Sequence, residues 1–222
     1  MGLLKHTFLI SCSFIFSVNF LFGQKKVAEL SVVYDYVINS STSVKPANGF
    51  EGATNTIYIK GNMVCSEMKS SLFSSSTIYD SKTGQAVILK EVSGQKLLIH
   101  LSAENWQEMN RPYDGITFTN TAETKTIAGY KCIKATGKSK SGAELIVYYT
   151  TEIIPDNKDY NSKFKNLDGL PLEYQLINNN LTIQYTVSKV NLNPVPASKF
   201  DIPKSGYREM TYEESKKFKA GK

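Results

Sequence analysis

The residues best equipped for chemistry are serines and lysines, and their spacing raises two enzymatic readings. Ala135-Thr136-Gly137-Lys138-Ser139 ends as a phosphate-binding loop ends. That loop requires a glycine five residues before Gly137, where this chain has Cys132. The surrounding pattern runs strand–turn–strand, so no helix N-terminus is offered to a phosphate, and the segment reads as a hairpin tip. Ser66–Lys69 matches S-x-x-K and Lys82-Thr83-Gly84 matches K-T-G, two elements of penicillin-recognising enzymes. Ser93–Lys96 and Ser162–Lys165 repeat the first spacing, and no S-D-N element accompanies them. Ser66 also lies in a strand pattern, whereas that chemistry needs the start of a buried helix. His100 sits on the more polar side of an apolar run, with no second histidine or cysteine nearby to make it a base or a ligand. G-x-S-x-G, H-E-x-x-H and C-x-x-C do not occur. The expectation is a protein without catalytic residues, metal or cofactor.

The cysteines lead to the compartment. Cys12 falls in an N-terminal stretch where Lys5 and His6 precede an uncharged, largely apolar run from Thr7 to Phe22. Residues 1–23 read as a secretory signal peptide cleaved near Gly23–Gln24, which sends the chain to the periplasm or the exterior. Leu9-Ile10-Ser11-Cys12 is similar to a lipobox, the rival reading, in which acylated Cys12 anchors the chain. Only Thr7 to Ser11 would then precede cleavage, short of the roughly seven apolar residues an export core needs. Export leaves Cys65 and Cys132, both in strand patterns. In an oxidising compartment they are disulfide candidates, the alternative being two buried free thiols.

Without residues 1–23 the chain has 199 residues, 25 basic and 20 acidic, a size for one domain over 24–222. The whole sequence is 41% hydrophobic and 21% charged, values that exclude disordered, collagenous and polytopic membrane classes. Arg111 and Arg208 are the only arginines, and the lysines are scattered apart from Lys25-Lys26 and the terminal Lys216, Lys217, Lys219 and Lys222. That distribution argues against nucleic acid and is compatible with contact at an anionic membrane surface.

The body of the chain alternates as β-strands do. Leu30, Val32, Tyr34, Tyr36 and Ile38 share one face of a strand, and Leu181, Ile183, Tyr185 and Val187 share one face of another. Beyond Val187 the phase slips at Ser188-Lys189, which predicts a β-bulge. Further strands are expected at Thr54–Lys60, Met63–Ser70, Ser76–Asp80, Gln85–Val92, Lys96–Leu101, Ile127–Thr136, Ala143–Thr150 and Leu172–Ile177. Gly61-Asn62, Thr83-Gly84, Ser93-Gly94 and Ser139–Gly142 supply the turns between them. Gly129, inside an expected strand, predicts a bulge or a close backbone approach. Gly169 and Pro171 mark a turn, and Pro194, Pro196 and Pro203 predict a crossing at an edge or rim over residues 193–204, with Phe200 as its packing anchor. Two short helices are expected, one capped by Ser102 and running to Asn110, the other opened by the capping box Thr211–Glu214. The fold class is mainly β, a curved antiparallel sheet with one or two short helices.

Three segments resemble an exported bacterial family of unknown function. They are Thr126-Ile-Ala-Gly-Tyr-Lys-Cys132, Asn166-Leu-Asp-Gly-Leu-Pro-Leu-Glu-Tyr174 with a G-x-P-L-E element, and Val195 to Tyr207 with Met210–Glu214, similar to an F-x-I-P-x-G-Y ending. The second is more loosely similar to the motif of the GLPGLI family, whose strict string is missing because Leu172-Glu173 follow Pro171. The resemblance implies a LolA/LolB-like fold, an incomplete β-barrel whose concavity can hold acyl chains. On that basis Val32, Tyr34, Tyr36, Ile183, Tyr185 and Val187 are candidate lining residues, although the same side chains would equally build a closed core. The expected partner is a lipid, a lipoprotein or another apolar ligand. The alternative is an envelope protein that docks on a module with no pocket.

Overall fold

Period-two alternation becomes strand nearly everywhere it occurs. The computed structural model describes residues 23–40, 52–139, 142, 144–178 and 181–220, so residues 1–22 of the expected signal peptide, Cys12 included, lie outside the described set. The described residues form β1 (Lys25–Val27), β2 (Glu29–Ser40), β3 (Thr54–Lys60), β4 (Met63–Lys69), β5 (Phe73–Asp80), β6 (Ala86–Val92) and β7 (Gln95–Leu101). After α1 (Ala103–Asn110) come β8 (Thr117–Ile127), β9 (Tyr130–Lys138), β10 (Glu144–Thr150), β11 (Ile153–Pro155), β12 (Leu170–Asn178) and β13 (Leu181–Asn191). The chain then adds β14 (Arg208–Thr211) and α2 (Tyr212–Ala220).

One curved sheet has the order β14-β7-β6-β5-β4-β3-β2-β13-β12-β10-β9-β8, while β1 and β11 form a separate parallel pair. Its edges, β8 and β14, do not meet, so the barrel stays open. The expected curved antiparallel sheet is found with one difference: β14 runs parallel to β7, Arg208 lying opposite Leu97. The expected bulge is present, because the β13–β2 register slips between Val187 and Lys189.

The expected strand Ile127–Thr136 is corrected. Ala128 and Gly129 both take left-handed φ values, 49° and 86°, and form the two-residue turn of the β8–β9 hairpin. Gly129 therefore makes a turn, not a bulge. Strand β8 escaped the sequence reading because most of its residues are exposed, as suits an edge, and no apolar alternation marks it.

Both caps form as expected. The Asn105 N–H donates to Ser102 Oγ at 3.3 Å, and the Glu214 N–H donates to Thr211 Oγ1 at 3.2 Å while the Thr211 N–H returns to Glu214 Oε2 at 2.7 Å. Lys216 and Glu108, 3.2 Å apart, tie α2 to α1. No helix among the described residues is long and apolar enough to cross a membrane.

The proline-rich segment before β14 does not follow a rim. It straps the convex face, the side opposite the core residues of β2, β3 and β4. The Val195 N–H donates to Glu29 Oε2 at 2.9 Å, and Lys199 reaches Glu67 at 3.2 Å and lies 4.4 Å over the Tyr58 ring. Farther on, Lys96 lies 5.9 Å over the ring of Tyr207. Phe200, within the strap, is half-buried.

Candidate functional site

On the concave face, Leu30, Val32 and Tyr34 of β2 meet Tyr185 and Val187 of β13 and Leu172 and Tyr174 of β12 in one core. The segment between β10 and β12 turns back into this hollow and fills its deep half with Tyr160, Phe164 and Leu167. Phe164 packs edge-on to Tyr174 at 4.8 Å, and Tyr174 stacks on Tyr185 at 4.6 Å. Of the expected lining residues, Val32, Tyr34, Tyr185 and Val187 are 1%, 1%, 8% and 4% exposed, so they face the hollow but are sealed. Ile183 is half-buried. Tyr36 pairs with Tyr185 through its backbone, and its side chain lies outside the described set.

The G-x-P-L-E element now has a physical meaning. Gly169 passes against the backbone of β10, so close that an added Cβ would lie 2.0 Å from the Thr150 carbonyl oxygen. Pro171 sits at the β10–β12 register shift, opposite Tyr149, where a missing N–H costs least. Its carbonyl accepts the Tyr34 hydroxyl at 2.8 Å, and Glu173 pairs with Lys125 at 2.6 Å. Burial holds the Tyr34 hydroxyl far above the usual phenol range, so it stays a donor. Tyr34→Phe removes this buried hydrogen bond and is expected to lower stability by about 1–2 kcal/mol in urea unfolding. An unchanged midpoint would show that this bond contributes nothing.

Toward the end of the sheet where β12 turns into β13, the hollow is less sealed. Met68, Phe118, Leu176 and Ile183 are half-buried there and pack against the core. Phe118 lies on Gly137, where an added Cβ would be 2.6 Å from its ring. Lys163 holds its ammonium 4.5 Å over the Tyr113 ring, and burial pushes its pKa down to about 8. Unfolded, the same lysine titrates near ~10.4. Between those values the unfolded chain binds more protons, so this residue makes stability rise as pH climbs through that window. The stability advantage of Lys163→Met over the parent is expected to be largest near neutral pH and to shrink toward about pH 10. Guanidinium unfolding at both values tests this, and a constant difference would refute a buried charge.

Cys65 and Cys132, the disulfide candidates, are buried free thiols on β4 and β9, with five strands between theirs in the sheet. A bridge requires Cα atoms within about 7 Å. Burial raises their pKa values to about 12 and about 11, which keeps them as unreactive thiols. Ser66 of β4 donates to Asn55 Oδ1 at 2.9 Å, while Lys82-Thr83-Gly84 forms the β5–β6 loop. His100 is exposed on β7, 3.5 Å from Glu209.

A further cleft of about 910 Å³ opens between the β5–β6 loop, α1 and the turn around Ser162. Trp106 lines it and stacks on Tyr79 at 4.5 Å and 18°. Beside them Asp159 and Lys165 pair at 2.6 Å. Sequence patterning missed this cleft because its walls come from three distant segments.

The architecture is thus an open, curved sheet around a partly plugged concavity. No protein-family model and no curated protein matches the sequence. Solved structures do match. PNGF-II does so with a TM-score of 0.50 at 13% identity, over 86% of this chain and 33% of that one, so the chain spans about a third of that protein. MucB gives 0.39 at 10% identity over 80% and 58%. A LolA superfamily protein from Nitrosomonas europaea gives 0.37 at 11% identity over 78% and 90%. At these identities the likeness is one of fold alone.

Proposed function

We propose that the chain is an exported, non-catalytic module of the bacterial cell envelope that holds an apolar ligand against the outer part of its concave face. A lipid or the acyl group of a lipoprotein is the ligand class. The observation that carries this reading is the half-buried apolar lip of Met68, Phe118, Leu176 and Ile183, continuous with the core yet not covered by it. A straight acyl chain gains roughly 0.8 kcal/mol for each methylene buried on such a surface. Native mass spectrometry of the purified protein, with titration of a fluorescent fatty acid, tests it. Retained lipid or saturable uptake that Ile183→Glu abolishes supports the reading, and a bare chain that takes up no probe refutes it.

A second reading, an envelope interaction module with no pocket, is favoured by the plugged deep half and by the long exposed edge strand β8. An edge of that kind can accept a strand from a partner. Stoichiometric capture of one envelope protein, lost when proline is placed in β8, would favour it over the carrier.

A further inference from the structure

We infer that the cleft beside α1 is a second binding site, distinct from the apolar lip, and that its ligand is a neutral oligosaccharide. Its walls are fixed before any ligand arrives. Asp80 pins the β5–β6 loop, accepting from the Lys82 N–H at 2.9 Å and the Thr83 hydroxyl at 3.2 Å. Ser162 Oγ donates to Asn110 Oδ1 at 2.6 Å, and Asn166 Nδ2 donates to the Ile116 carbonyl at 2.7 Å. A volume of about 910 Å³ suits a small or medium ligand.

The charge pattern selects the ligand class. Lys82, Arg111 and Lys165 face the cleft together with Glu104, Glu108, Asp114 and Asp159. Lys165 is already paired with Asp159, and Glu108 with Lys216. That leaves Lys82 and Arg111 balanced by Glu104 and Asp114, so an anion gains no net attraction, and an apolar chain would strip water from all these charges without compensation. A sugar hydroxyl donates and accepts at once, so it can satisfy a carboxylate on one side and a guanidinium on the other. Trp106 is half-buried and lines the cleft, one ring face held on buried Tyr79, so its other face can supply what the charged groups lack, a flat apolar surface for the C–H face of a sugar ring. Asn166 keeps its amide oxygen free of the Ile116 bond, which uses the nitrogen.

Trp106 is the only tryptophan in the sequence, so tryptophan emission, excited where the tyrosines do not absorb, comes from this cleft. The full chain is titrated with cellohexaose, chitohexaose and maltohexaose, with a sulfated disaccharide as the anionic probe. The expected result is a saturable change in emission, with protection from acrylamide quenching, for at least one neutral probe. Arg111→Ala and Asp114→Asn alter exposed positions and should leave the melting temperature unchanged while weakening that binding about tenfold. No response to any neutral probe at millimolar concentration, a response to the sulfated probe alone, or equal binding by both variants overturns the proposal. Acyl-probe uptake is read with its own probe and with Ile183→Glu, so either site can fail without the other.

Discussion

Gly169→Ala is expected to lower stability by about 3 kcal/mol, one of the two largest single-residue losses in this fold. The added methyl would lie 2.0 Å from the Thr150 carbonyl oxygen and 2.8 Å from Tyr149 Cδ2. The obstacle is backbone, and Thr150 is fully buried and paired with Leu170, so β10 can retreat only by opening its ladder to β12. For a chain of this size the melting temperature should fall by roughly 6–12 °C. Gly206→Ala is the control: Gly206 has a φ of 82° but nothing within 4 Å of the new methyl, so only conformational strain of about 1 kcal/mol is expected. If the two variants unfold at the same denaturant concentration, the close approach at Gly169 is wrong.

Phe164→Ala is expected to cost about 3–5 kcal/mol, because a ring 1% exposed would leave a cavity among Tyr174, Phe118 and their neighbours. It also separates the two functional readings. Phe164 plugs the deep half of the hollow, so its removal should join that space to the lip and raise the uptake of Nile red or a fatty acid. Destabilisation with no gain in uptake would mean that the hollow is only a core, and would favour the interaction module.

Much of this fold was legible because the relevant signals are local. The alternation of Leu181 to Val187 gave β13, the slip at Ser188-Lys189 gave its bulge, and Ser102 and Thr211 gave both helix starts. Strand β8 was not legible, since an edge that is exposed along most of its length has no need of a period. Nor was the plug. Tyr160, Phe164 and Leu167 sit on short 3-10 turns and loops, where burial follows no spacing. Val32, Tyr34, Tyr185 and Val187 lie in the core under this cover, which no spacing announced. The motif residues were read as turn punctuation, yet Gly169 serves a contact with a strand some twenty residues earlier, which only tertiary structure reveals.

The strap over the convex face also bears on when the protein can fold. It joins Val195 to Glu29 and Lys199 to Glu67, pairs separated by 166 and 132 residues, while β2 finds its second neighbour only in β13. Contacts so distant in sequence carry a large loop-closure entropy and form late. Until the last segment emerges, Cys65 and the buried apolar residues around it lack their cover, and β2 has only one partner. In a chain wired in this way, the hairpins from β2 to β7 can pair early, while the contacts that cover their convex face wait for the last segment.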